Sequence, residues 1–296
     1  MEHAFQLSCE STVDFPFSHA VERDMSVLFY SYTVDGEVYE DDMGRDPDAL
    51  PRFHQMLKDG KMPATSQINA FRYEEYFDAL LQKGDVLHIA FGSGMTPSVK
   101  NAQQVAEELR EKYPDRKLIV VDSTCSSRGY GLLVDEAADR RDQGMSMEEI
   151  AAWVEANGEK VQHQFFSTDL THFRRSGRVS GAAATVATVL GLCPLMRLDR
   201  SGHIVAYDKV RGKKNALSAT VKVMKEHAQG GTDYTGRCYI GHSNCPEEAE
   251  ALKVLIEADF PQLKGRIDTY DIGTIIASHC GQGTTLLCFL GDERPE

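Results

Sequence analysis

The sequence predicts an α/β fold in two domains: an N-terminal parallel-sheet α/β/α domain over residues 1–160 and a C-terminal α+β domain over residues 161–296. Three observations predict it. Short apolar runs rich in β-branched residues alternate with helix-length segments through the first half, the pattern of a doubly wound sheet with helical crossovers. After about Lys160 the strands become linked by hairpin turns. The chain is also long enough to bury one large core or two.

In chain order, Ser26 to Val34 reads as a strand, and Asp35-Gly36 as a hairpin turn into Glu37-Val38-Tyr39. Asp46 to Lys58 and Phe71 to Gln82 carry helical apolar spacing. Asp85 to Phe91 is a buried-type strand, followed by the turn Gly92-Ser93-Gly94, a helix from about Pro97 to Lys112, and a second such strand over Lys117 to Asp122. Ser146-Met-Glu-Glu149 fits a capping box opening a helix through Trp153. In the second half, Val161 to Ser167 is a strand, Ser180 to Leu190 a small-residue helix, and Cys193 to Leu198 a strand that reverses at Asp199–Gly202 into His203 to Val210. Arg237 to His242 and Thr284 to Leu290 read as strands flanking a helix near Glu247 to Ala258.

Composition narrows the function. The formal net charge of −13 argues against nucleic acid as the main partner, because phosphates are neutralised by Lys and Arg. From His172 to Lys214, however, nine basic residues stand against two acidic ones. That stretch is either a set of solvated turns or a docking surface for an anion. The N-terminus lacks the basic and apolar regions of a secretory signal, and no apolar run reaches the eighteen residues of a membrane span. Seven irregularly spaced cysteines without a C-x-x-C pair indicate reduced thiols in a cytoplasmic protein.

Three segments could hold a ligand. Phe91-Gly-Ser-Gly-Met-Thr-Pro-Ser98 lies between a strand and a helix, where free amide groups and the hydroxyls of Ser93, Thr96 and Ser98 suit a carboxylate or phosphate. A plain capping role for Thr96 is the alternative. Ala64-Thr65-Ser66-Gln67 is a second hydroxyl cluster placed directly before a helix, where it reads as an N-cap. His279 sits in a glycine-bounded turn closed by Gly281 and Gly283, where backbone can approach a ligand. His242 to Cys245 has the spacing of half a metal site, but no second pair follows, so no metal is expected. A hydrolase would need a base beside Ser93 or Ser98, and the G-x-S-x-G elbow is missing.

In order along the chain, these segments resemble the DegV family. Glu10-Ser-Thr-Val-Asp14 is similar to its D-S-T-x-D opening, Thr65-Ser66-Gln67 to its T-S-Q, Gly92 to Val99 to its S-S-x-L-S-G-T-Y turn, and Asp122-Ser123 to its second D-S. Phe173 to Val179, Cys193 to Met196, Arg211 to Ala216 and His279 to Gly283 resemble its later motifs. The departures are Glu10 for Asp, Ile68 after T-S-Q, Pro97, Ser98 and Val99 in the turn, and Gln282 for Pro. The resemblance implies a long-chain fatty acid lying between the two domains, its tail in an apolar tunnel and its carboxylate at the junction. It implies a cytoplasmic binding subunit with no cofactor and no catalysis of its own, which presents the acid to a separate ATP-dependent fatty acid kinase for acyl-phosphate formation. The carboxylate contacts fall on Thr65, Thr96 and His279, with Ser66, Ser93, Ser98 and Gly281 around them, and a protonated His279 would strengthen the grip. Arg178 and Arg211 are the expected docking residues for the kinase or the transferred phosphoryl group. The competing reading is a small-carbonyl-binding subunit of the dihydroxyacetone kinase type, also using His279.

Overall fold

The structure, a computed structural model, describes residues 3–179 and 191–296. The helix expected over Ser180 to Leu190 therefore lies outside the described residues. The first half contributes β1 (Gln6–Glu10), α1 (Phe17–Glu22), β2 (Met25–Leu28), β3 (Ser31–Val34), β4 (Glu37–Glu40), α2 (Ala49–Lys58) and β5 (Ala64–Ser66). It continues with α3 (Ala70–Leu81), β6 (Val86–Ala90), α4 (Ser98–Lys112), β7 (Leu118–Asp122), α5 (Ser127–Asp142) and α6 (Met147–Gly158). The second half adds β8 (Val161–Ser167), α7 (Thr171–Arg175), β9 (Leu192–Leu198), β10 (Ile204–Arg211) and α8 (Lys213–His227). It ends with β11 (Cys238–His242), α9 (Pro246–Asp259), β12 (Ile267–Asp271), α10 (Thr274–Cys280) and β13 (Thr284–Leu290).

The α/β class is present as two main sheets. A parallel sheet runs β2-β1-β6-β7, and a mixed sheet runs β10-β9-β8-β13-β11-β12. In the first sheet the connections leave β1 toward β2 on one side and reach β6 on the other. Ligands of open parallel sheets sit outside the carboxyl ends of the strands at such a switch point. The segments following β1 and β6 are Ser11–Pro16 and Phe91–Pro97. Helix α5 joins the layers. It packs on Ser11–Val13 on one side and on β8, β11 and β13 on the other, and both faces of its first three turns are buried.

The run Ser26 to Val34 is two strands rather than one. Met25–Leu28 joins the parallel sheet, while Ser31–Val34 pairs with β4 and β5 in a small antiparallel ribbon. The break falls at Tyr30, whose backbone leaves both ladders: its N–H donates to Ser11 Oγ at 3.1 Å and its carbonyl accepts from Asp41 N at 2.9 Å. The hairpin turn is as expected, with Asp35 and Gly36 at φ 52° and 88°. The capping box also forms, Glu149 N donating to Ser146 Oγ at 3.3 Å and Ser146 N to Glu149 Oε2 at 2.9 Å. Among the described residues no helix is long and apolar enough to cross a membrane. All seven cysteines are buried free thiols.

Candidate functional site

The site is built on the turn that follows β6. Its anchor is Glu10, fully buried at the end of β1. Phe91 N donates to Glu10 Oε2 at 2.8 Å, and Tyr73 OH donates to Oε1. Beyond Phe91, the chain is held by Gly92 N to Cys125 O at 3.0 Å and Ser93 N to Asp122 Oδ1 at 3.1 Å. Gly92 has to be glycine, since a Cβ there would stand 2.7 Å from Cys125 O. The turn then brings Thr96 and Ser98 together, their hydroxyls 3.0 Å apart, with Ile68 N donating to Ser98 Oγ at 3.1 Å.

Facing this turn is α10, which carries His279 in its last turn. His279 Nε2 lies 2.8 Å from Thr65 Oγ1 on β5. Thr65 pairs across the ribbon with Tyr32, which fixes the direction of its side chain. Arg178 closes a third side, its Nε donating to Met95 O at 3.2 Å. Tyr30, Thr65, Ser66, Thr96, Arg178 and His279 all border one cavity of about 280 Å³. Tyr30 OH is buried there without a hydrogen-bond partner, and so is His279 Nδ1. Unpaired buried polar atoms are costly, so the wall is chemically incomplete without a ligand or water.

Behind this polar mouth lies a smaller apolar space of about 50 Å³ among Phe165, Leu198, Ile272 and Leu286. The two share Ser126, Phe173, Ile204, Ile276 and Cys280 as walls, so they are neighbours across those side chains. The arrangement can hold a molecule with an anionic or polar head and an apolar tail. Burial, reinforced by Arg178 and His172, pulls the His279 imidazole down to about 4. It is thus neutral at pH 7 in the free protein, so the strengthening that a protonated His279 would bring is missing there. The charge available to an anion comes from Arg178, with hydroxyl donors beside it.

A profile described as "Uncharacterised protein, DegV family" matches residues 4–292. A DegV domain-containing protein of Clostridium perfringens is 34% identical over 292 residues, 98% of each chain. The chain belongs to the DegV family. Its fold is similar to that of a DegV family protein from Thermus thermophilus described by its fatty acid binding, with TM-score 0.83, 24% identity and coverage of 98% of this chain and 100% of that one. It is also similar to the Streptococcus pneumoniae fatty acid kinase (Fak) B3 protein loaded with linoleic acid, with TM-score 0.82, 20% identity and coverage of 98% and 100%.

Of the residues that the sequence picked out, Thr65, Ser66, Thr96, Arg178 and His279 meet around the cavity of this DegV chain. Ser98 stands behind Thr96 and supports it. Ser93 and Gly281 are not among the cavity's lining residues. Ser93 is exposed and held by Asp122. Gly281 ends α10 at φ 68°, and a Cβ there would meet the His172 ring at 2.6 Å. Arg211 is exposed at the end of β10, away from the cavity wall. Two local readings are corrected. Thr65 is on a strand rather than an N-cap, because Asn69 Oδ1 takes the capping bond from Arg72 N at 3.0 Å. His279 is helical rather than in a turn, with Gly281 acting as the helix stop.

Sequence reasoning missed Tyr30, and Met95 and the isoleucines of the wall. Their only signal is apolar character, which core residues share. It also missed the buried contact of Ser8 Oγ with His88 Nδ1 at 2.8 Å and of His88 Nε2 with Glu10 Oε1 at 3.3 Å. The order resembles a hydrolase triad, yet all three side chains are fully buried. Neither Ser93 nor Ser98 has a base in hydrogen-bond contact, so the hydrolase reading gains no support.

Proposed function

We propose that the chain binds a long-chain fatty acid, with its carboxylate between Thr65, Thr96, Arg178 and His279 and its tail running past Phe173 and Ile204. The observation that carries this is the cavity's polarity gradient, with donors at the mouth and an apolar continuation sharing its walls. Tyr30 OH, buried beside Thr96 and Ser98, is a further donor near the head group. Burial of the tail provides the affinity, at roughly 0.8 kcal/mol per buried methylene before ordering costs. The fatty acids named for the Thermus and pneumococcal proteins support the same reading. A small carbonyl compound would leave the apolar continuation unused. On this reading the chain divides near residue 160, with the ligand between the parts, since the wall draws Tyr30 to Ser126 from one side and Phe173 to Cys280 from the other. Buried reduced thiols fit a cytoplasmic location.

In the same proposal the chain is a binding subunit without its own chemistry, and a separate ATP-dependent kinase phosphorylates the bound acid. Arg178 then faces the carboxylate or the incoming phosphoryl group, and exposed Arg211 docks the kinase. Denaturing extraction of the purified protein followed by mass spectrometry tests the lipid. A long-chain fatty acid is expected at close to one per chain, and protein that is lipid-free and fails to take up added fatty acid overturns the reading. Arg211→Ala should slow acyl-phosphate formation more at low salt than at high salt, with lipid affinity unchanged. Equal rates for Arg211→Ala and wild type would remove Arg211 from the docking surface.

A further inference from the structure

A second cavity, of about 180 Å³, opens at the start of α10 and outside the carboxyl end of β1. Ser11, Asp14, Asp41, Asp42, Asp271 and Thr274 provide its polar wall. Asp42 accepts from Asp46 N at 2.7 Å, and the Asp271 carboxylate is half exposed to solvent. Asp14 and Asp41 differ. Both are more than nine-tenths buried, at 6% and 2% exposure. Each uses one oxygen on a hydroxyl: Ser127 Oγ donates to Asp14 Oδ2 at 2.5 Å, and Thr274 Oγ1 to Asp41 Oδ1 at 2.8 Å. The other oxygens, Asp14 Oδ1 and Asp41 Oδ2, make no hydrogen bond of good geometry, although Gly273 N–H and Ser11 Oγ stand beside the two carboxylates.

No basic side chain answers these two carboxylates among the described residues. The nearby Arg128 guanidinium lies over the rings of Tyr239 and Tyr270, at 4.4 and 4.6 Å, and its Nη1 goes to the Asp14 carbonyl rather than the carboxylate. Gly273 keeps the space between them open, since a Cβ there would stand 2.7 Å from Asp14 Oδ1 and 3.8 Å from Asp41 Oδ1. The amides at the start of α10 offset part of the negative charge, yet both orphan oxygens remain. Two buried carboxylates with free oxygens require either a proton or a cation.

We propose that this cavity is a Mg²⁺-type cation site, with Asp14 Oδ1 and Asp41 Oδ2 as ligands and Ser11 and Thr274 hydroxyls beside them. The donors are all oxygen, which selects a hard ion over zinc or copper. A divalent charge balances both carboxylates. Among the described residues no three acidic, His or Cys side chains converge as a full protein cage. Magnesium suits that shortage, because it keeps several waters and takes only one or two carboxylates. The cavity is roomy enough for ion and waters.

The test is Mn²⁺ binding, read by electron paramagnetic resonance on the full chain after chelator treatment. One Mn²⁺ per chain, displaced by Mg²⁺, is expected, with affinity at least about tenfold weaker in Asp14→Asn and Asp41→Asn. The amide introduced by Asp41→Asn keeps an oxygen that can accept from Thr274, so this variant carries the test if Asp14→Asn does not fold. Mg²⁺ in severalfold excess over its dissociation constant should also raise Tm of the wild type by about 1–2 °C. Absence of bound Mn²⁺ in the wild type, or binding undiminished in a folded variant, overturns the site and leaves a proton shared by the carboxylates.

Discussion

At the start of α10, Gly273 and Thr274 border a cavity whose buried free atoms are carboxylate oxygens, which only accept. At its other end, seven residues on from Gly273, Cys280 and His279 border a cavity whose wall offers donors from Arg178, Tyr30, Thr65 and Thr96. The two sites share one short helix, with Asp14 and Asp41 buried at one end and Thr65, Arg178 and His279 part-buried at the other. What separates them is the donor and acceptor inventory, and that inventory selects the charge of the guest. Depth makes both selections strong, since a buried polar atom left unpaired costs about 1–3 kcal/mol.

The largest effect expected concerns pH and the donor end. His279 is pulled down to about 4 by burial, Arg178 and His172, so between about pH 6.5 and pH 4 the unfolded chain binds a proton that the folded chain refuses. Stability contributed by the neutral imidazole is therefore complete above pH 6.5 and lost as pH falls. His54, at about 4, and His163, at about 3, act in the same direction through burial. Each of the three should remove about 2 kcal/mol from unfolding free energy by pH 5. Urea unfolding of His279→Gln should show its share missing from the pH slope. Ligand-loaded protein should show a shallower slope too, because a bound carboxylate favours the imidazolium. An unchanged slope in the variant would mean that the ring is solvated, and the donor end would lose its buried neutral imidazole.

A smaller effect separates hydroxyl from shape. Thr65→Val keeps the β-branched volume on β5 but deletes the oxygen 2.8 Å from His279 Nε2. Fatty acid affinity should fall by about 1–2 kcal/mol, while a fatty alcohol loses less. Calorimetric titration with both ligands decides it, and equal losses would show that Thr65 only shapes the wall.

Legibility followed the same contrast between what is local and what is not. Asp35-Gly36 and Ser146–Glu149 were readable because their geometry is enforced within four residues. β6 and β7 were readable as apolar runs. β1 was not: Ser8 and Glu10 interrupt its pattern, and their partners His88, Tyr73 and Tyr76 lie more than 60 residues away. Helix α5 was hidden because burial on both faces erases amphipathic periodicity, and its Gly129 and Gly131 lower helix propensity. A Cβ at Gly129 would stand 2.1 Å from the His163 ring, so packing against β8 overrides propensity there. In the cavity at the end of α10, Thr65, Thr96 and His279 were legible through hydroxyl clusters and motif resemblance, whereas Tyr30 depends on how two sheets separate around it. Asp14 appeared only as a motif residue, and its pairing with Asp41 required the fold.

The smallest effect expected is the one that tests whether the two cavities are independent. Asp41 reaches α10 through Thr274, five residues before His279, so the acidic end could transmit strain to the donor end. The intervening helix is backed by buried Ile275 and Ala277 and ended by Gly281, whose N–H bonds Ala277 O at 2.8 Å. Close-packed helices move as units, and Asp41→Asn retains the acceptor for Thr274, so the register of α10 is preserved. Fatty acid affinity of this variant should stay within about twofold of wild type, equivalent to ~0.4 kcal/mol. Mg²⁺ should leave wild-type lipid affinity equally unmoved. A tenfold change in either titration would show that the acceptor end sets the position of His279, making the two cavities a coupled pair rather than separate sites on one helix.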